Sequence, residues 1–324
     1  MRKLIIVGSV IASALTLLTA LIFYSTRAPD PKAEEGLFVI SRTNKEETVK
    51  RLLEGGYIRH SWSIPAARLL TLRFGETEPG GYKISKSMNT RKLITILTSE
   101  PQLKWITIPE GLRKEEIGER LAKELHWSES ELEKWNTTYT AMEFDYREGV
   151  FFPDTYLIPT DENGLATAKR MIIRFNERFA GYPEKFSEQD IKWTTALKIA
   201  SIVQREAAGK DDMPLIAGVI WNRLLNDQAL EIDATVQYAR GKIDDKWWAP
   251  IKAADIDNID SPYNTYKNEG LPPTPISNPG MDAINAVLSP AETECFYYLH
   301  DSSRTIHCAK TLEEHEANIE KYLK

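Results

Sequence analysis

The pattern of apolar and polar positions divides the chain into three stretches. Leu4 to Phe23 is apolar or small and carries no charge. As a helix rising about 1.5 Å per residue, it spans the roughly 30 Å hydrocarbon core of a bilayer. Arg2 and Lys3 precede it, and flanking positive charge stays on the cytoplasmic side. The expected layout is a cytoplasmic stub (1–3), a membrane-spanning helix (4–23) and an outward-facing body. The alternative is a cleaved signal peptide, whose apolar region is usually about 7 to 15 residues. This run is longer, which favours an uncleaved anchor. Residues 24–36, with Pro29, Pro31 and several charges, read as a linker.

The second stretch is short and mixed. Leu37 to Ile40 predicts a strand. Asn44 is placed to cap a helix that runs to Leu53 and stops at Gly55-Gly56. A second helix is expected over Ile64 to Arg73, and a strand over Tyr82 to Ile84 after Gly80-Gly81. The order strand, helix, helix, strand resembles a LysM-like module, a small fold often used to grip glycan; a plain structural spacer fits the same pattern. The module is expected over 37–100, closed by a helix from Thr90 to Leu97.

From 101 to 324 a mixed helical and β domain is expected, making the chain α+β overall. A strand from Leu103 to Ile108 leads to Pro109-Glu110-Gly111. A helix over Lys114 to Leu125 places Ile117, Leu121 and Leu125 on one face. Ser128 and Glu131 have the spacing of a capping box. Glu148 to Tyr156 is aromatic and broken by Pro153, so it should be loop or edge strand. Helices follow over Ala166 to Phe179, from a Ser187 cap to about Ala208, and over Met213 to Leu225. Beyond these the chain is loop-rich, punctuated by Pro262, Pro272, Pro273, Pro275 and Pro279.

Composition narrows the function. With 42% hydrophobic and 27% charged residues the body is globular rather than disordered. A net charge of -6, without a basic block interleaved with aromatics, gives no electrostatic case for nucleic acid. Cys295, His300, His307, Cys308 and His315 cluster near the end, but their spacing matches neither C-x2-C nor H-x3-5-H. No metal and no other cofactor is expected.

The segment richest in chemistry is Ala200-Ser201-Ile202-Val203-Gln204-Arg205-Glu206. Helical spacing from Ile199, Ile202 and Val203 puts Glu206 on the apolar face. A carboxylate buried without a partner costs several kcal/mol, so its pKa rises. A carboxyl still protonated near neutral pH is what a glycosidic leaving oxygen needs as general acid. The structural alternative is a buried Glu206 paired with an arginine such as Arg223.

Further segments join this one: Asn222-Arg223-Leu224, Leu230-Glu231-Ile232-Asp233-Ala234-Thr235, Ser261-Pro262-Tyr263-Asn264-Thr265-Tyr266 and Gly270-Leu271-Pro272-Pro273. Together and in this order they resemble the YceG-like (MltG) family of endolytic murein transglycosylases, from the N-terminal anchor to the end of the chain. The resemblance implies that Glu206 is the catalytic acid. It further implies cleavage between N-acetylmuramic acid and N-acetylglucosamine within peptidoglycan strands, with the sugar's own 6-hydroxyl leaving a 1,6-anhydro end. One protein carboxyl then suffices, whereas a hydrolase normally needs two, about 5 to 9.5 Å apart.

The candidate substrate contacts are Glu148, Tyr156, Asn222, Asp233, Thr235, Tyr263, Asn264, Thr265 and Tyr266. Aromatic faces with amide and hydroxyl groups suit sugars; for Asn264 and Thr265 a turn held by side-chain bonds fits equally. The chain departs from the family pattern at Gln204 (where a first glutamate is usual), at Glu231 (for Gln) and at Ala234 (for Pro). Expected partners are glycan strands, the membrane and peptidoglycan synthases. A muramidase using Asp233 as second carboxyl, and a non-catalytic glycan-binding scaffold, are the competing readings.

The two cysteines belong to an outward-facing body, where they can pair. Cys295 to Leu299 predicts a strand and Asp301-Ser302-Ser303 a turn. A hairpin centred between Asp301 and Ser302 sets Cys295 opposite Cys308. A bridge there would contribute up to about 3 kcal/mol by closing a short loop; two free buried thiols are the alternative.

Overall fold

The computed structural model describes residues 2–41, 45–71, 76–141 and 148–324. The Asn44 cap and the end of the helix expected to reach Arg73 lie outside the described residues. Backbone contacts divide the chain into two units, one of residues 1–106 with 156–161, the other of residues 107–155 with 162–324.

The first unit opens with α1 (Arg2–Thr26), whose Ile6–Thr26 stretch is long and apolar enough to cross a membrane. Then follow β1 (Glu35–Ile40), α2 (Lys45–Glu54), α3 (Ser63–Thr71), β2 (Gly80–Ser85) and α4 (Thr90–Leu97). β1 and β2 are antiparallel with Phe38 facing Tyr82. Two later strands complete the sheet in the order β1-β2-β3-β4: β3 (Leu103–Thr107) and β4 (Thr155–Pro159). Phe38, Ile40, Leu52, Tyr82, Ile84 and Leu93 form the core between sheet and helices. Asn89 caps α4 through a bond from the Lys92 amide, 2.8 Å.

The second unit holds α5 (Lys114–Leu125), α6 (Glu129–Thr137), α7 (Gly164–Phe179), α8 (Tyr182–Ser187), α9 (Trp193–Glu206) and α10 (Met213–Leu225). It continues with α11 (Asp233–Arg240), α12 (Ala253–Asn258), α13 (Met281–Leu288), a hairpin of β5 (Tyr297–His300) and β6 (Ile306–Ala309), and α14 (Leu312–Tyr322). α9 and α10 pack on each other and on α13. α9 buries Leu197, Ile199, Ala200, Ile202 and Val203 almost completely. Its β-branched residues cost at most about 0.7 kcal/mol each in helix propensity. Burying each side chain returns about 1.5–3 kcal/mol, so packing decides the conformation.

Four expectations are corrected here. Ser187 ends a helix rather than starting one. Pro183 sits in the first turn of α8, and the chain redirects at Asp190, whose φ is 60°, before α9 begins at Trp193. α9 also ends at Glu206, not Ala208, because Ala207 turns extended (φ -67°, ψ 136°). Ser128 does cap α6, but the carboxyl of Glu131 accepts from the Gly164 amide at 2.8 Å instead of closing a capping box. The region read as loop contains α11 to α14; each has 6 to 11 residues, too short for a clear helical period among the prolines.

Candidate active site

Glu206 is the last residue of α9, half-buried, in the wall of a cleft of about 410 Å³. The same cleft is lined by Asp233 at the start of α11, Tyr266 from the Tyr-Asn-Thr-Tyr turn, Tyr298 of β5, and the Leu312 face of α14. A larger groove, about 660 Å³, runs between α5 and Trp247-Trp248. It holds none of the candidate residues, and its indole N–H groups already donate to Glu119 and Glu116.

The carboxyl of Glu206 is not paired with Arg223. Arg223 donates instead to the carbonyls of Phe296, Ala229 and Leu230 and to the Glu231 carboxylate at 2.9 Å. Glu206 accepts from the phenol of Tyr298 at 2.9 Å. Burial raises its pKa above the ordinary carboxyl value. Asp233 pushes the same way, against the Tyr298 hydrogen bond and the charges of His300 and Arg205.

Asp233 is exposed and accepts from the Tyr266 hydroxyl at 2.6 Å. Behind this pair lies a buried clamp. The hydroxyls of Thr235 and Thr265 are hydrogen-bonded, the Ile232 amide donates to Thr265 Oγ1 at 3.0 Å, and Thr235 Oγ1 donates to the Ile232 carbonyl. Asn264 donates to the carbonyls of Ile256 and Ile259, and its Oδ1 accepts from the Tyr266 amide. Both faces of the expected duality are therefore divided between residues: Tyr266 reaches the cleft, while Asn264 and Thr265 hold the turn.

Several other candidates sit away from the cleft surface. Glu148 is fully buried and cannot touch a glycan in this arrangement. It accepts from the Lys114 amide at 3.0 Å and from Asn278 Nδ2 at 2.5 Å. Burial, helped by the charge of Glu115, lifts its pKa to about 8 against the Lys114 amide and the charges of Arg113 and Lys114. Thr235 and Asn264 are likewise fully buried. Asn222 donates to the carbonyls of Thr293 and Cys295, fixing the approach to β5. Tyr263 shares a hydrogen bond with Thr274 at 2.7 Å. Tyr156 is buried on β4, in the other unit from Glu206.

The departures at 204, 231 and 234 have local explanations. Gln204 Oε1 accepts from the Gly280 amide at 3.0 Å, while its amide group hydrogen-bonds the Glu110 carboxyl. A side chain that both accepts and donates fits there. Glu231 completes the Arg223 pair. Ala234 lies in the first turn of α11, where proline is favoured but not required.

Cys295 and Cys308 are joined by a disulfide, with Cα atoms 5.8 Å apart. The register is not the expected one. Cys308 faces Tyr298, and Cys295 lies before the strand begins. Asp301 accounts for the slip: its carboxylate accepts from the amides of Ser303 and Thr305, and Arg304 turns left-handed (φ 66°), building a longer loop than a two-residue turn. His300 pairs with Asp212 at 2.7 Å and His307 with Asp301 at 2.9 Å.

A carboxyl of raised pKa at a helix end, facing a cleft of tyrosines and the exposed carboxylates of Asp233 and Glu231, is an arrangement suited to acid–base catalysis. The chain belongs to the YceG-like family, whose model matches residues 38–321. It is 32% identical over 268 residues to the endolytic murein transglycosylase of Bacillus subtilis (strain 168), covering 76% of this chain and 73% of that one. It is 28% identical over 314 residues to the Streptococcus pneumoniae (strain D39) protein of the same name, covering 87% of this chain and 57% of that one. A 2.6 Å crystal structure of a yceG-like protein from Listeria monocytogenes superposes with a TM-score of 0.60 at 26% identity, covering 88% of this chain and 99% of that one.

Proposed function

We propose that the protein is an endolytic peptidoglycan transglycosylase, cutting bonds between N-acetylmuramic acid and N-acetylglucosamine within glycan strands and so limiting strand length. The observation that carries this reading is the Glu206 carboxyl: its pKa is raised, and its partner in the cleft is a phenol rather than a cation. It begins protonated, gives its proton to the leaving glycosidic oxygen, and as the resulting carboxylate takes the proton of the muramic 6-hydroxyl. That hydroxyl closes on the anomeric carbon, leaving a 1,6-anhydro end, so no second protein carboxyl is consumed. Asp233 and Tyr266 are the residues best placed to meet the sugar. The names of the Bacillus and Streptococcus relatives support the same activity.

In this reading α1 anchors the chain in the cell membrane with the N-terminus cytoplasmic and the body outside. The β1–α2–α3–β2 unit, whose order is that of a LysM-like module, holds glycan, and peptidoglycan synthases are natural neighbours. The decisive experiment is digestion of purified glycan strands with mass analysis of the ends. Anhydro ends that disappear with Glu206→Gln are expected. Reducing ends would establish a hydrolase, the reading in which Asp233 is the candidate second carboxyl, and wild-type cleavage by Glu206→Gln would remove Glu206 from the mechanism.

A further inference from the structure

We propose that Tyr298 is a positioning residue for glycan cleavage, its phenol holding the Glu206 carboxyl in the orientation from which the proton is delivered. The proposal rests on the reading of Glu206 as the acid. Tyr298 Oη donates to Glu206 Oε2 at 2.9 Å. Among the described residues Oε1 makes no hydrogen bond, so it is the oxygen free to carry the transferable proton. When the Oε1–H bond breaks and the proton bonds to the leaving oxygen, the electron pair stays on the carboxylate. A hydrogen bond to an ionised acceptor is roughly twice as strong as one to a neutral acceptor. The Tyr298 contact therefore tightens as the reaction proceeds, which is the kind of interaction that accelerates a step rather than merely binding substrate.

The scaffold behind Tyr298 is built to keep that phenol still. Two residues earlier, the Phe296 carbonyl accepts from Arg223 Nε at 2.6 Å, and the Phe296 amide donates to Ala309. Asn222 holds the carbonyls of Thr293 and Cys295. Cys308, the cross-strand partner of Tyr298, is covalently tied to Cys295. α10, the disulfide and the β5–β6 ladder thus all converge on the segment carrying one hydroxyl. The other charged and titratable groups around Glu206 are Arg205 on its own helix, Asp233 on α11, Tyr266 beyond α12, His300 on β5, and, lining the same cleft, Tyr297 of β5 and His315 of α14. Arg223 of α10 and Glu231 also line the cleft but are committed to each other. Of all these, Tyr298 alone is hydrogen-bonded to the Glu206 carboxyl among the described residues.

The test compares the full-length, detergent-solubilised wild type with Tyr298→Phe, with Glu206→Gln alongside, on purified glycan strands across a pH series. Tyr298→Phe should lower kcat by about 10- to 100-fold, the worth of a hydrogen bond to a charged group, with KM unchanged. Loss of a donor that favours ionised Glu206 should also move the alkaline limb of kcat to higher pH. Placing 3-fluorotyrosine at 298, a more acidic phenol of the same shape, should move that limb to lower pH, and it tests the idea even if Tyr298→Phe folds poorly. A limb unmoved by both replacements, or kcat within twofold of wild type in Tyr298→Phe, would overturn the proposal while inactive Glu206→Gln left the function intact. Activity in Glu206→Gln would instead overturn the function itself.

Discussion

The hydroxyls of Thr235 and Thr265 lie 2.8 Å apart, both without solvent access, and through them the start of α11 is locked to the turn that presents Tyr266. Removing the Thr265 hydroxyl strands the Ile232 amide, which donates to it. An unsatisfied buried donor costs about 1–3 kcal/mol. Thr265→Val should lose that much stability by denaturant unfolding and weaken glycan cleavage by loosening the Tyr266–Asp233 contact. Thr265→Ser, which keeps the hydroxyl, should recover most of both. Full stability in Thr265→Val would show that the hydroxyl contributes nothing, and equal losses in the two variants would show that the methyl group matters as much as the hydroxyl.

Gln204 stands where a glutamate is usual, bridging the Gly280 amide and the Glu110 carboxyl. Gln204→Glu keeps the acceptor but brings a second carboxylate against Glu110, whose pKa burial and Asp282 already raise. Both groups are then held neutral longer in the folded protein than in the unfolded chain, so the stability lost should grow as pH rises above about 4.5. Activity on glycan strands near pH 6 should stay within severalfold of wild type. A tenfold gain in rate would mean that a second acid on α9 contributes to catalysis after all.

Glu148 gives a pH signature of its own. Its folded pKa of about 8 exceeds the ordinary 4.5, so the folded state binds the proton more tightly than the unfolded chain. Stability from this group is complete at low pH and declines from about pH 4.5 until the folded pKa is passed. Glu148→Gln resembles the neutral form at every pH. Relative to wild type, the variant should therefore gain stability between pH 5 and pH 8, read as a shift in denaturant midpoints. A difference that stays constant over that range would contradict a neutral Glu148.

Gly218 on α10 marks a close approach: a Cβ there would meet the Ala291 carbonyl oxygen at 2.4 Å. The Ala291 amide is bonded to Pro214 at 2.9 Å, so the segment cannot easily withdraw. Gly218→Ala should cost about 1–3 kcal/mol through overpacking, despite alanine's better helix propensity. Unchanged or raised thermal stability would show that the Ala291 segment yields.

What the sequence made legible follows physical range. The membrane-length helix rests on an unbroken apolar run, and the face of α5 and the placement of Glu206 on an apolar helix rest on periodicity over two or more helical turns. The Tyr-Asn-Thr-Tyr and Gly-Leu-Pro-Pro segments carried the family, and the matching of residues 38–321 agrees. Roles that depend on which way a polar side chain turns were not readable. Glu148 and Asn264 look like ligands for sugar on residue type, yet each is spent inside the protein. Tyr298 went unnoticed because a tyrosine in a short strand gives no local sign of its partner, 92 positions away. The hairpin register failed for a local reason, since Asp301 builds a longer loop than its turn chemistry suggested.

The bridge between Cys295 and Cys308 ties down the strand that carries Tyr298. Such bonds persist only where thiols are oxidised. Material purified from a reducing cytoplasm will hold molecules with this tie unmade, and their share will differ between preparations. Units of activity per milligram then measure how completely the sample has been oxidised as much as how good the enzyme is.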